Sequence, residues 1–276
     1  MNSVPRFADR KPFIFVVGVL VAWILLGSIF VILAATLFRL PITDPKIQAA
    51  GTLIATILLL CIAIRISWID GIGIVNLGSP SLWMVTLIVA IYVLLVNSYA
   101  YFDEITFLPA SLFTQDAVPL LLRGLQVGFV EEVVFRGIIL YGLVRTWGKS
   151  NRGLFAALAV QAALFSVLHT LQVFFGADLA SAISNVLATF IFGLWVGALV
   201  VSFGSLWPAI LIHAVSNSFI LINGLSNQWV IPNYLGFLRG SLFELPLVLL
   251  GLWFVLKRRS DAHLDSDDLS NPLTSA

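Results

Sequence analysis

Eight apolar windows, each close to the length that crosses a bilayer, recur along this chain. The hydrocarbon core of a membrane needs about 20 apolar residues per helix, and a helix satisfies its own backbone polar groups there. The composition agrees, because 60% of the residues are hydrophobic and only 11% are charged. The sequence therefore predicts an all-α, polytopic membrane helix bundle of about eight transmembrane helices, at 13–38, 49–66, 82–102, 119–144, 153–175, 183–201, 206–223 and 243–256.

Positive charge gathers beside alternate ends of these windows, while the remaining loops mix basic with acidic residues. Cytoplasmic loops carry an excess of Lys and Arg, so this pattern predicts that both termini lie in the cytoplasm. We expect an integral multi-pass protein of the plasma (inner) membrane. The clustered basic residues are Arg6, Arg10 and Lys11, then Arg65, then Arg145, Lys149 and Arg152, and finally Lys257, Arg258 and Arg259.

Charges also occur inside the fourth window, in the segment FVEEVVFRGIIL. An ionisable side chain at the bilayer centre costs about 2.5–3.5 kcal/mol on insertion scales, so such residues normally face the bundle interior with a partner. Glu132 and Arg136 are four residues apart and can form an ion pair. Glu131 is turned about 100° from Glu132, so the pairing leaves it free. An ion-pair network that only stabilises the fold would account for Glu132 and Arg136. It gives a poorer explanation for the second glutamate, Glu131, beside them.

Two further windows carry histidines, in the segments FSVLH (165–169) and HAVSN (213–217). His213 and Asn217 lie one helical turn apart on the same face and can present two donors to one point. His169 on another helix completes a candidate site with the glutamates. The spacings Gly124-x-x-x-Gly128 and Gly193-x-x-x-Gly197 would let helix backbones approach closely in lipid.

With EEVVFR, FSVLH and HAVSN in this order, the chain resembles the CPBP family of CAAX proteases and bacteriocin-processing enzymes, also called Abi proteins. The resemblance implies an intramembrane endopeptidase of the CAAX prenyl protease type, with a catalytic core at about 117–223. It also implies that Glu131 and His169 activate a water, that His213 and Asn217 stabilise the oxyanion, and that Glu132 and Arg136 support them.

Zinc stays open as a cofactor of this site. Family members are commonly labelled metalloproteases, and Glu131, His169 and His213 would be the ligands, since a glutamate with two histidines suits a catalytic zinc ion. However, no His-Glu-x-x-His motif is present. The CAAX-cleaving relatives are also understood as glutamate enzymes without an obligatory zinc.

The expected partners are the lipid bilayer and a membrane-associated peptide or prenylated protein as substrate. Nucleic acid is not expected, because the net charge is +1 and no basic run is interleaved with aromatic residues. Residues 1–260 form a single transmembrane domain by this interpretation, and the polar tail 261–276 is expected to be disordered and cytoplasmic.

Two other classes of protein could place such residues in a membrane. An ion- or proton-coupled transporter would use them as a relay, but it should show an inverted repeat, and none is found. A non-catalytic scaffold or immunity protein could retain the fold without its chemistry. Intact motifs favour the enzyme.

The turn 202–205 raises a question of depth. His213 lies roughly 12 Å from this turn, whereas Glu131 lies roughly 21 Å from Arg145 at the same predicted membrane face. Groups that share one water must sit at one level. We therefore expect a recessed turn and a cytoplasm-facing cavity that leads to Glu131.

Overall fold

The computed structural model describes residues 3–102, 117–223 and 234–268, and every regular element in these ranges is helical. A π-helical segment, Val133–Leu140, joins α5 to α6, and a 3₁₀ segment, Leu168–Phe175, extends α7. The helices are α1 Ser3–Arg10, α2 Pro12–Phe38, α3 Pro45–Arg65, α4 Pro80–Phe102, α5 Ala117–Glu132, α6 Tyr141–Trp147, α7 Asn151–Val167, α8 Leu179–Phe203, α9 Trp207–Asn223 and α10 Tyr234–Asp268.

All eight predicted windows are helical, so the predicted polytopic bundle is confirmed. Within the described ranges, six helical stretches are long and apolar enough to cross a membrane: Pro12–Phe38, Pro45–Arg65, Pro80–Tyr99, Asn151–Phe174, Leu179–Phe203 and Tyr234–Arg258. A seventh, Trp207–Ile222, is apolar but shorter. The fourth window, predicted as one helix, is divided between α5, the π segment and α6.

Local sequence signals set several helix starts. Proline stands at the first position of α2, α3 and α4, where its missing N–H costs nothing. Asp44 caps α3 by accepting from the Lys46 N–H at 2.8 Å, and Ser150 caps α7 through Gly153 N–H at 3.1 Å. These caps end short connections, which keep successive helices antiparallel.

The bundle has two ends, which we name by their loops. The near end carries the start of α2, residues 66–79, 148–150 and 204–206, and Arg258; the far end carries residues 39–44 and 176–178. Large apolar side chains are exposed along the outer helices, for example Leu33, Ile62 and Leu249, as expected of surfaces that face lipid. The buried core lies around α8, α7 and the π segment.

The last helix is longer than its apolar window. It begins at Tyr234 and continues to Asp268, so the boundary drawn at residue 260 falls inside it. Arg258 donates to the carbonyls of Val201 and Ser202 at 2.7 Å each, which joins α10 to the end of α8. The division into one domain and a tail stays a prediction.

Candidate active site

Glycines on α5 let this helix pack directly against the backbone of α9. A Cβ at Gly128 would lie 2.8 Å from the backbone nitrogen of Ala214, and one at Gly124 would lie 2.9 Å from its carbonyl oxygen. Both distances are shorter than real Cβ atoms show. The small-residue spacing noted in the sequence therefore brings Glu132 on α5 beside His213 on α9.

Glu132 and Arg136 form the ion pair that their spacing predicts. The Oε1 atom of Glu132 lies 2.9 Å from Nη1 of Arg136, and both side chains are fully buried. Arg136 lies inside the π segment, a rare wide helical turn that is frequently found at functional sites. The pair therefore neutralises one of the two glutamates.

His213 joins the same carboxylate from α9. Its Nδ1 atom lies 2.7 Å from Oε1 of Glu132, and the histidine is buried. An ionised carboxylate only accepts hydrogen bonds, so Nδ1 carries the proton and donates it. The other ring nitrogen of His213, Nε2, faces Glu131 and lies 3.7 Å from the Oε2 atom of that glutamate. That separation is too long for a direct hydrogen bond. His213 thus lies between both glutamates.

Arg136 is held by aromatic rings as well as by charge. Its guanidinium carbon lies 4.2 Å from the ring centre of Phe165 and 5.5 Å from that of Phe192. Among the described residues, the Nε, Nη1 and Nη2 atoms of Arg136 have no hydrogen-bond partner. The close contact between Nη1 and Glu132 is an ion pair whose angles do not fit a hydrogen bond. The arginine is therefore stabilised by the ion pair and by cation–π contact.

Gln161 is a second buried polar side chain near this point. Both of its amide atoms lack a hydrogen-bond partner among the described residues. A Cβ at Gly197 would lie 2.8 Å from its Oε1, and a Cβ at Gly193 would lie 3.7 Å from Nη2 of Arg136. The Gly193-x-x-x-Gly197 spacing on α8 therefore makes room for these two polar side chains.

Glu131 differs from Glu132 in its exposure. Its side chain is 25% exposed, whereas that of Glu132 is fully buried. It lies at the wall of a cavity of about 130 Å³, whose other polar lining residues are Gln48, Thr52, Arg123 and Gln126. A polar cavity of this size has room for several water molecules.

His169 lies just beyond α7, in the 3₁₀ segment. Its Nδ1 atom is 3.1 Å from the carbonyl oxygen of Phe165, so Nδ1–H donates there and Nε2 is the remaining ring nitrogen. The Phe165 ring contacts both imidazoles, with ring centres 4.9 Å from His169 and 6.1 Å from His213. The two histidines are therefore neighbours across one aromatic ring.

Asn217 follows His213 by one turn of α9 and is half-buried. Its amide makes no hydrogen bond to the part of the chain that the structure describes. The amide is therefore available to a ligand on the face that also presents His213.

Residues 113–219 match the family model of Rce1-like proteins, the type II CAAX prenyl endopeptidases. The match covers less than half of the chain, and over this part the chain is similar to the Rce1-like family. The matched residues contain all six predicted site residues, from Glu131 to Asn217, which supports protease activity of the CAAX type at the level of the family. No curated protein and no solved structure matches the chain.

A cavity of about 260 Å³ at the near end is lined by apolar side chains from Phe7 to Ile138, and its described lining does not include the turn 202–205, where the cytoplasm-facing cavity was predicted. Ser202 and Ser205 are buried, but a protein loop covers them. The Asn76 amide donates to the Gly204 carbonyl at 3.0 Å, and Leu206 N–H donates to the Gly73 carbonyl at 3.0 Å. Residues 73–76 therefore fill the space that the depth argument had left for water.

Glu131, His169 and His213, the ligands named for the zinc alternative, are not arranged as a metal set. The described residues include no group of three or more His, Cys, Asp or Glu side chains arranged to hold a metal ion. The Nδ1 atoms of His213 and His169 are bonded to Glu132 and to the Phe165 carbonyl.

The sequence did not indicate the roles of three side chains. Phe165 opens the Phe-xxx-His segment, yet its contact with Arg136 follows only from the fold. Phe192 and Gln161 had no motif that marked them. A buried glutamine in an apolar span was the one available signal for Gln161.

Proposed function

We propose that this Rce1-like chain is an intramembrane endopeptidase in which Glu131 activates the attacking water. One observation carries the proposal: of the two adjacent glutamates, Glu132 is fully buried against Arg136 and His213, whereas Glu131 reaches the cavity. A general base must contact the water from which it takes the proton, and of the two carboxylates Glu131 is the one at the cavity.

His169 assists Glu131 in holding this water. Because its Nδ1–H is bonded to the Phe165 carbonyl, its Nε2 can accept a hydrogen bond. The hydrogen bond to the Phe165 carbonyl fixes the orientation of the His169 ring. The water is thereby aligned between a carboxylate and an imidazole.

His213 and Asn217 bind the oxyanion in this proposal. His213 donates from Nδ1 to Glu132, so it must be doubly protonated to donate from Nε2 as well. The Glu131 and Glu132 carboxylates, on either side of the ring, are its counter-charges. A preorganised donor at the oxyanion is worth about 2.7–4 kcal/mol of transition-state stabilisation.

The proton balance is simple. Glu131 takes a proton from water, and the resulting hydroxide forms a bond to the carbonyl carbon of the peptide. The C–N bond then breaks, and the proton passes from Glu131 to the leaving amine. Arg136 does not touch the substrate; it neutralises Glu132 and so positions His213.

The substrate class is a membrane-associated peptide or protein, and the family description adds the prenylated type. Quantitative proteomics of membranes with wild-type protein, with Glu131→Gln and without the protein tests the activity. We expect new C-termini only with the wild type. The same termini with the Glu131→Gln variant would remove the glutamate from catalysis, and none in any sample would argue against a protease.

A further inference from the structure

The near-end cavity of about 260 Å³ is lined by residues of α1, α2, α3 and the π segment. Phe7, Gly18 and Ile62 line it from the three helices, and Ile138 lines it from the π segment. Its described lining side chains are hydrophobic, and their one polar atom is the indole nitrogen of Trp68. Apolar cavities exclude ordered water, and a peptide backbone would bring polar groups that such walls cannot satisfy. The cavity therefore suits a hydrocarbon chain.

The spacing between α2 and α3 explains why the cavity lies at this end. Toward the far end the two helices are in close contact, because a Cβ at Gly51 would lie 2.9 Å from the carbonyl oxygen of Gly27. Near the start of α2, a Cβ at Gly18 would meet no atom within 4 Å. The helices therefore separate toward the near end, and Gly18 faces the space between them.

Trp68 brings an unpaired polar group to the wall of this cavity. Its side chain is 1% exposed, and its Nε1–H has no hydrogen-bond partner among the described residues. The rings of Phe15 and Tyr141 each lie 5.3 Å from the Trp68 ring, and the guanidinium of Arg145 lies 5.0 Å from it. These contacts hold the ring but leave the N–H without an acceptor. A buried indole N–H usually has a partner, so we expect the ligand of this cavity to carry an oxygen.

Basic side chains lie close to the same cavity. Arg10 and Lys11 follow the lining residue Phe7 by three and four positions, and Arg65 directly precedes the lining residue Ile66. All three basic side chains are exposed. The positive-inside rule assigns this end to the cytoplasm, and the cytoplasmic leaflet is the one that carries anionic lipids. The charge near the cavity is therefore complementary to a lipid phosphate.

Acidic side chains at this end do not cancel that charge. Asp9 is paired with Arg145, with 3.1 Å between the carboxylate and the guanidinium. Asp70 is exposed in the segment that follows α3. The two acidic side chains therefore stand against four basic ones.

We infer that this cavity binds an anionic glycerophospholipid of the cytoplasmic leaflet. One acyl chain occupies the apolar space, an ester carbonyl accepts from the Nε1–H of Trp68, and the phosphate lies beside Arg10, Lys11 and Arg65. Basic pockets between transmembrane helices on the cytoplasmic side are suited to anionic headgroups. The inference does not depend on the proposed function, because lipid binding is measured without cleavage.

Native mass spectrometry of the delipidated full-length protein tests the headgroup preference. The protein is titrated with phosphatidylglycerol and, separately, with phosphatidylcholine of the same acyl chains. We expect phosphatidylglycerol to bind at least about tenfold more tightly. Changing Arg10, Lys11 and Arg65 together to glutamine should weaken its binding about 10²-fold, since each basic residue contributes a factor of about five. Lys149→Gln with Arg152→Gln, at the same end but outside the cavity lining, is the matched control and should bind as the wild type.

Two further variants test the cavity itself. Gly18→Leu puts a side chain into the space that α2 and α3 leave open, so we expect phosphatidylglycerol binding to be lost while the unfolding midpoint is kept. Val21→Leu, on an exposed side of α2 that does not line the cavity, is its control. Trp68→Phe keeps an aromatic ring without the donor and should weaken binding about two- to tenfold.

Three results would overturn the inference. The first is equal affinity for the two lipids, and the second is phosphatidylglycerol binding of wild-type strength in folded Gly18→Leu. The third uses a farnesylated cysteine peptide as a probe: if it binds the wild type but not Gly18→Leu, and phosphatidylglycerol shows no preference, the cavity belongs to a prenylated substrate. Selective lipid binding by a protein that cleaves no peptide would refute the proposed protease function and support the lipid site.

Discussion

Replacing Arg136 by alanine should destabilise the protein and inactivate it together. The substitution leaves the Glu132 carboxylate fully buried without the guanidinium that lies 2.9 Å away. Breaking a buried ion pair from one side costs about 3–5 kcal/mol, because the remaining charge is uncompensated. At about 1.4 kcal/mol per factor of ten, a loss of about 4 kcal/mol raises the unfolded fraction about a thousandfold.

A double variant separates charge from packing. Glu132→Gln with Arg136→Met removes both charges while keeping similar volumes, and the amide oxygen of the introduced glutamine can still accept from the Nδ1–H of His213. We expect it to recover most of the lost stability but little activity, because the carboxylate that balances a doubly protonated His213 is gone. Thermal unfolding in detergent, followed by the fluorescence of the eight tryptophans, gives the stability, and peptide cleavage gives the activity. A wild-type unfolding midpoint for Arg136→Ala, or a double variant as unstable as the single one, would refute this reasoning.

Three further substitutions test other parts of the site. Asn217→Ala should lower the cleavage rate about 10²- to 10³-fold without shifting the unfolding midpoint, and a rate near that of the wild type would exclude an oxyanion role. His169→Gln should lower the rate about 10²- to 10⁴-fold in the same assay, and equal turnover would remove it from water activation. Gly128→Ala should cost about 1–3 kcal/mol, since its Cβ would lie 2.8 Å from the α9 backbone. Gly18→Ala, with no atom within 4 Å, is its control, and equal midpoints for the two would contradict close α5–α9 packing.

Much of the fold could be predicted because apolar length is a strong signal in a membrane. The windows gave the helices, but not all of their boundaries. The last window was predicted to begin at 243, whereas α10 begins at Tyr234 and includes Glu244 and Pro246. Those residues interrupt the apolar pattern, yet Glu244 is buried and accepts a hydrogen bond from Nε1 of Trp195 at 3.0 Å. A tertiary contact therefore accommodates an acidic residue close to the start of the predicted window.

Some contacts of the site follow from spacing within one helix, and others depend on how distant helices pack. The Glu132–Arg136 pair follows from spacing within one helix, and the structure contains it. The bond from His213 to Glu132 joins residues 81 positions apart and depends on how α5 and α9 are rotated, which spacing does not specify. The loop that covers the turn at 202–205 is held by a hydrogen bond from Asn76 to Gly204, 128 positions apart. The depth argument used helix lengths alone, so it could not include that loop.

The most direct test of the account compares purified wild-type protein with Glu131→Gln in lipid vesicles. A peptide identified from the membrane proteomics is supplied at saturating enzyme, and single-turnover cleavage is followed by mass spectrometry of the new C-terminus. The account predicts that Glu131→Gln unfolds at the wild-type temperature and cleaves at least about 10²-fold more slowly, as expected when a general base is lost. Cleavage by the folded variant at the wild-type rate would contradict it.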